Sequence, residues 1–316
     1  MQSPLFIGVD VAKAEVVLAC SQNSFPVQTV ANALPALRKF LNTLPPGTHI
    51  AMEATSLYHQ DLADLAVKMG FSVFVLNPKD TWHYAKGIGM RAKTDRVDAQ
   101  MIARYVAHEV AHLRAYEPAT PEQRAMDQLL KRRAKIVSLK TALRLSCDGV
   151  PSLNAKATKL IAGFTELLKH IDCEIAVLNN AIPQRAEQIE RLKSIAGVGP
   201  LTSAWLANLL DRVKFKNSDA AVAFVGMDPR PCDSGQKRGR RRLSKRGPSE
   251  GRRLLFNAAM AAAKSPIWAP TYAHYRQLGW ASTAAIMIIA RKILRIAYIL
   301  TKNGSSFDPH FVSIKA

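Results

Sequence analysis

LFIGVDVAKAEVVLAC, residues 5–20, holds two apolar runs, LFIGVD and EVVLAC, separated by only the four residues Val11 to Ala14. Six-residue runs rich in Val, Ile and Leu read as strands, and so short a connection makes the pair antiparallel. A third, weaker strand is expected near Val27 to Val30. Beyond it the pattern changes to a helical period over 34–44, the turn LPPGT, a strand HIAMEA at 49–54, and a helix over 57–69 closed by Gly70. A strand FSVFVLN at 71–77, stopped by Pro78, follows. Three strands followed by alternating helix and strand predict a mixed α/β sheet flanked by helices.

The chain has 316 residues, enough for two cores. Its 44 Lys and Arg against 24 Asp and Glu give a net charge of +20, and the pI is about 10.1. That balance points to a polyanionic partner. The excess is uneven: residues 1–118 carry 11 basic and 10 acidic side chains, residues 119–316 carry 33 and 14. Cys20, Cys147, Cys173 and Cys232 form no CxxC pair, so neither a zinc ribbon nor a disulfide framework is expected and a reducing cytoplasm fits. The N-terminus shows no basic n-region or cleavage site, and the apolar stretch 282–300 is cut by Arg291, Lys292 and Arg295. A signal peptide and a membrane partner are therefore not expected.

From 121 to 190 the chain is helix-forming, and two long helices, a coiled-coil hairpin broken around Cys147 to Pro151, are the economical reading. Subunit association is expected there. LKSIAGVGPLTSAWLANLL (192–210) sets Gly197 and Gly199 between two helical patterns, either a helix-hairpin-helix offering backbone N–H groups to phosphate or a plain corner in a core. Further helices are expected at 218–225, 251–263, 266–277 and 281–301.

Four carboxylates stand out. Asp10 and Glu53 end apolar strands, and an ionised carboxylate beside a core is costly unless paired or bound to a cation. In KTDRVDAQMIARY (93–105), Asp95 and Asp98 lie at i and i+3 of a helix, on one face. Brought together, the four form a hard oxygen site suited to Mg²⁺ or Mn²⁺, with Lys93 and Arg96 beside it for phosphate. The plainer reading makes Asp95 an N-cap and Asp98 its capping-box partner.

In CDSGQKRGRRRLSKRG, Ser234 precedes Gly235 amid Lys237, Arg238, Arg240, Arg241, Arg242, Lys245 and Arg246. Such density attracts a phosphate backbone, and a hydroxyl there is a candidate nucleophile on phosphorus; Ser-Gly is also an ordinary turn pair. HEVAH (108–112) matches the HExxH zinc pattern, but no downstream third ligand accompanies it and a protease would not explain the charge; it reads as coincidence.

With these residues in hand, the chain resembles the DEDD-type transposases of the insertion-sequence 110 family, related to the Piv DNA invertases. GVDVAK (8–13), MEAT (52–55), NP (77–78) and KTDRVDA (93–99) follow its first module in order. SIAGVGPLTS (194–203) and SG-x3-G-x4-SK-x-G from Ser234 to Gly247 follow its second. One departure is Ser56, where Gly is usual after MEAT. The resemblance implies an RNase H-like (RuvC-like) domain over 1–115 with Asp10, Glu53, Asp95 and Asp98 as metal tetrad, a helical coiled-coil connector over 116–192, and a helical transposase domain over 193–316. There Ser234 attacks DNA and becomes linked to it. It further implies a dimer or tetramer directed to element ends and target by a structured guide RNA. The competing expectations are a junction-resolving, metal-dependent nuclease with water as nucleophile, and a non-catalytic nucleic-acid scaffold. Tyrosine recombination is disfavoured, because the seven tyrosines come without an Arg/His-x-x-Arg constellation near a C-terminal Tyr.

Overall fold

The computed structural model describes residues 4–21, 25–181, 183–235, 239 and 241–309. The chain divides into two compact units, Met1–Pro118 and Ala119–Ala316.

The first unit is built on a five-stranded sheet in the order β3-β2-β1-β4-β5. Strands β1 (Phe6–Val11), β2 (Glu15–Cys20) and β3 (Gln28–Ala31) form an antiparallel meander; β4 (His49–Glu53) runs parallel to β1, and β5 (Ser72–Leu76) parallel to β4. This five-stranded mixed sheet is consistent with an RNase H-like domain. Alternation sorts its two faces. Ile7, Val9, Val11, Ile50 and Met52 point to a core closed by helices α1 (Leu34–Leu41) and α2 (Gln60–Lys68). Gly8, Asp10, Ala51 and Glu53 have the opposite parity. That face is covered by α4 (Asp95–Glu109), whose Ala99, Met101, Ile102 and Val106 are buried beside Ala19, Ala51 and Phe74.

Gly8 sets how close α4 comes. A Cβ on Gly8 would stand 2.1 Å from the Ala99 carbonyl oxygen and 2.3 Å from the Ala103 nitrogen, so helix backbone lies on strand backbone. Ser56, in the turn after β4, has φ of 47°, the left-handed region that glycine enters without steric cost. The unit reaches past residue 115: the Tyr116 N–H donates to Val73 O (2.7 Å) and its hydroxyl to Asp64 Oδ1 (2.9 Å).

A helix unforeseen in the sequence, α3 (Pro78–Gly87), follows β5. Pro78, read as a strand stop, is also its first residue, and Asn77 caps it by accepting from the Lys79 N–H (3.0 Å).

The second unit is helical. Helices α5 (Pro121–Cys147) and α6 (Asn154–Asn180) form the long antiparallel hairpin, broken at Asp148–Leu153. Arg133 grips Asp172 through two hydrogen bonds (2.5 and 3.1 Å), and Lys140 donates to Thr165 Oγ1 (2.7 Å). Met126, Leu130, Ile171 and Ile175 at the hairpin's base share one core with α7 (Pro183–Lys193), α8 (Pro200–Arg212), α9 (Ser218–Val225), α10 (Ser249–Ala262) and α12 (Ser282–Asn303). The segment 116–192 thus adds its base to the later core, while Leu139, Leu145, Leu160 and Leu167 along its shaft are exposed. Helix α11 (Ala269–Gln277) packs on α12. Among the described residues no helix is long and apolar enough to cross a membrane.

Candidate active site

Register explains how the strand-borne acids meet. β1 and β4 pair in parallel through Val9 and Met52, so the next residues, Asp10 and Glu53, stand side by side on the face under α4. Helix α4 begins with Asp95 and carries Asp98 one turn on. Its cap is Thr94, whose hydroxyl accepts from the Val97 N–H (3.3 Å), so Asp95 is not the N-cap. With the capping task met by threonine, both aspartates remain for other work.

Electrostatics bind the four into one group. Burial, then the neighbouring charges of Asp95, Asp98 and Glu53, push the Asp10 carboxyl from 3.8 up to about 6, against the pull of the Val11 N–H. Burial also raises Asp98, opposed by Lys93 and reinforced by Asp95. Glu53 is held by α3: the Thr81 hydroxyl, fully buried, lies 2.5 Å from Glu53 Oε1 and 3.0 Å from Pro78 O. Thr81 escaped the sequence reading because α3 itself did; the only signal was a threonine in the first turn after Asn-Pro.

A hard divalent cation suits this donor set, since clustered carboxylate oxygens gain most from a compact positive charge between them. Yet among the described residues no three His, Cys, Asp or Glu side chains stand gathered as a finished cage. The backbone brings the acids to one face of the sheet and the first turns of the helix above it. Lys93 and Arg96 are exposed at the head of α4.

The HExxH match dissolves at the end of this helix. Helix α4 ends at Glu109, His112 lies in a 3-10 turn (Val110–His112), and His108 Nδ1 is hydrogen-bonded to the Tyr84 hydroxyl (3.1 Å).

In the second unit Ser234 sits exposed beyond a two-stranded hairpin, β6 (Pro229–Arg230) paired with β7 (Arg242–Leu243). The hairpin was unforeseen, its strands being two residues each. Its root is fastened: the Ser244 N–H donates to Asp228 O (3.0 Å), the Ser244 hydroxyl to Asp228 Oδ1, and the Lys245 N–H to Gly226 O (3.0 Å). Near the tip, Arg241 donates to both oxygens of Asp233 (2.7 and 2.8 Å), and the Gly239 N–H donates to Asp233 Oδ1 (3.1 Å). The Arg241 hydrogen bonds hold Asp233 below the usual carboxylate range. Gly239 cannot be replaced freely, because a Cβ there would lie 1.9 Å from Cys232 O. The residue before Ser234 is therefore clamped while its own side chain stays open to solvent. Arg242 is exposed in β7, and Lys245 and Arg246 follow it; Lys237, Arg238 and Arg240 lie outside the described residues.

At the glycine turn, Gly197 has φ of 92° and a Cβ on it would meet Ala258 O of α10 at 2.4 Å, so packing alone accounts for it. Gly199 gives α8 no side-chain cap. A cleft of about 330 Å³ borders this turn, with Arg133 and Arg253 among its walls; each also holds a carboxylate.

Residues 7–149 match the DEDD-type IS110 transposase family, and residues 189–274 match the family described as Transposase IS116/IS110/IS902. The chain belongs to the IS110 family of transposases. Its similarity to the pilin gene-inverting protein of Moraxella lacunata is 27% identity over 82% of both chains. To the transposase for insertion sequence element IS1328 of Yersinia enterocolitica it is 25% identity, spanning 98% of this chain and 100% of the relative.

Proposed function

We propose that this IS110-family transposase cuts and rejoins DNA strands by two transesterifications, with Ser234 as nucleophile and Asp10, Glu53, Asp95 and Asp98 as ligands of Mg²⁺ or Mn²⁺. The observation that carries the reading is the parallel register that sets Asp10 beside Glu53 on the sheet face under α4, the helix whose first turns bear Asp95 and Asp98. In the first step Ser234 Oγ bonds to phosphorus as one of its bonds to a deoxyribose oxygen breaks. Oγ loses its proton, and the released sugar oxygen gains one. In the second, a sugar hydroxyl attacks the same phosphorus, and the serine leaves and regains a proton. Phosphodiester bonds are conserved, so no nucleotide hydrolysis is needed. A divalent ion, when bound, would stabilise charge on the attacking and leaving oxygens. Lys93 and Arg96 hold phosphate near the acids, and the arginines around Ser234 stabilise charge on the phosphorus it attacks.

The relatives act, by name, in gene inversion and transposition; element ends and target DNA are the corresponding partners here. The charge of +20 leaves capacity for a second polyanion, and the guide RNA implied by the family is assigned that role. The exposed leucines of the hairpin shaft support a homo-oligomer, in which modules of different protomers complete one site. The functional modules proposed are 1–115, 116–192 and 193–316, the second being the hairpin that joins the core of the third within one compact unit.

The test is a trapping assay with element-end DNA and Mg²⁺. A covalent protein–DNA adduct is expected, absent in Ser234→Ala, with strand cutting absent in Asp10→Ala. Cutting that persists without adduct in Ser234→Ala would assign water as nucleophile. RNA co-purifying with the protein, and required for the adduct, tests the guide.

A further inference from the structure

Large aromatic side chains are seldom left in water, because each forgoes the burial of an extensive apolar surface. In the first unit, among the described residues, two are exposed: Tyr58 (39%) and Trp82 (53%). Both lie in segments that leave the C-terminal ends of parallel strands, Tyr58 after β4 and Trp82 on α3 after β5. This is the end of the sheet where Asp10 and Glu53 stand, and the end at which open α/β sheets bind ligands. Leu57 beside Tyr58 is also exposed.

Trp82 is tied closely to the acids. Its neighbour Thr81 turns inward to Glu53, while Trp82 turns out. Lys86 Nζ stands 4.1 Å from the centroid of the Trp82 ring, and Lys79, Arg91, Lys93 and Arg96 are exposed along the same stretch. An aromatic face flanked by cations is the combination that holds single-stranded nucleic acid: the ring stacks on a base and the cations take the phosphates. Duplex DNA keeps its bases stacked inside and cannot use the ring.

We propose that Trp82 is a stacking platform for an unpaired base of the DNA strand entering the carboxylate group, with Lys86 moving from the ring to an adjoining phosphate. This rests on reading the carboxylates as the place of strand chemistry. A strand drawn out of its duplex beside Glu53 would be fixed in register by this contact, and the phosphate presented to the acids would be chosen by which base the indole holds.

The test is binding in EDTA, where no strand is cut. The full-length protein carrying Trp280→Phe leaves Trp82 as its exposed indole among the described residues, since Trp205 and Trp268 are buried. A 15-nucleotide mixed-sequence single-stranded DNA is expected to quench its emission, and the corresponding fully paired duplex to leave it unchanged. Trp82→Ala is expected to weaken single-strand binding about 5- to 100-fold, with duplex binding within twofold and an unchanged melting temperature; Trp82→Phe recovers most of the loss. Unchanged single-strand affinity in Trp82→Ala, or an equal loss for duplex, overturns the proposal. A Trp82-dependent response to RNA of the same sequence without one to DNA overturns the assignment to the DNA strand. Because the readout is binding, it stands apart from the carboxylate reading: an active Asp10→Ala sinks that reading, and an indifferent Trp82→Ala sinks this one.

Discussion

The acidic face of the sheet and the serine hairpin are held by opposite means. Asp10 and Glu53 rise from the middle of a buried sheet under a helix in backbone contact, and their charges repel. Ser234 stands exposed beyond two short strands, and the charges next to it, Asp233 and Arg241, attract. A group of like charges needs a scaffold that does not yield, whereas a nucleophile needs access and only its flanks fixed. One region spends stability for chemistry; the other spends almost none.

Four substitutions break or sharpen that contrast. Asp10→Asn is expected to lower strand cutting by about 10³-fold or more, the several kcal/mol of charge stabilisation a metal site contributes. Yet the same variant should melt higher than wild type in EDTA at neutral pH. An acid whose folded-state pKa is raised binds its proton more tightly folded than unfolded, so wild-type stability falls as pH rises from 3.8 to about 6 and stays lower above it. After discounting for solvent screening, the gain in Asp10→Asn is about 1–2 kcal/mol above pH 6 and near zero at pH 4. Melting curves across that range check it, and Mg²⁺ should stabilise wild type alone.

Gly8→Ala attacks the scaffold. The methyl has only backbone to displace, so α4 must lift from β1, destabilising the unit by about 3 kcal/mol and carrying Asp95 and Asp98 away from Asp10. Denaturant unfolding reads the first effect and Mg²⁺ binding the second. Asp233→Ala, at the hairpin, should lower adduct yield about tenfold, on the scale of one lost positioning contact, while the melting temperature stays put. A large fall in stability there would erase the contrast between the regions. The smallest effect is expected from Ser56→Gly, which relieves a left-handed residue and should raise stability by about 1 kcal/mol or less in denaturant titration.

The sheet was legible because its apolar runs and their spacings are strong: all five strands and the long hairpin stand where the pattern places them. The pairing of Asp10 with Glu53 was legible as a possibility, since strand ends were visible but parallel register was not. Helix α3 and Thr81 were hidden because Pro78 speaks for an ending and a beginning alike. Asp95 was offered as a cap because spacing cannot tell it from Thr94, one residue earlier; only the backbone angles do. The serine hairpin was hidden by brevity, since two-residue strands carry no period. Ser56 shows the converse: a departure noticed as a mismatch of letters turns out to mark a backbone angle that glycine would hold more cheaply.

The fastened root of the hairpin has a geometric corollary. Ser234 lies four residues past Arg230, so however the tip rearranges, its hydroxyl stays within a tether of about 14 Å from the paired strands. If Ser234 is the nucleophile proposed above, the search for the scissile phosphorus would be left to the approach of DNA, and the timing of strand exchange would be set by assembly instead of by a swinging loop.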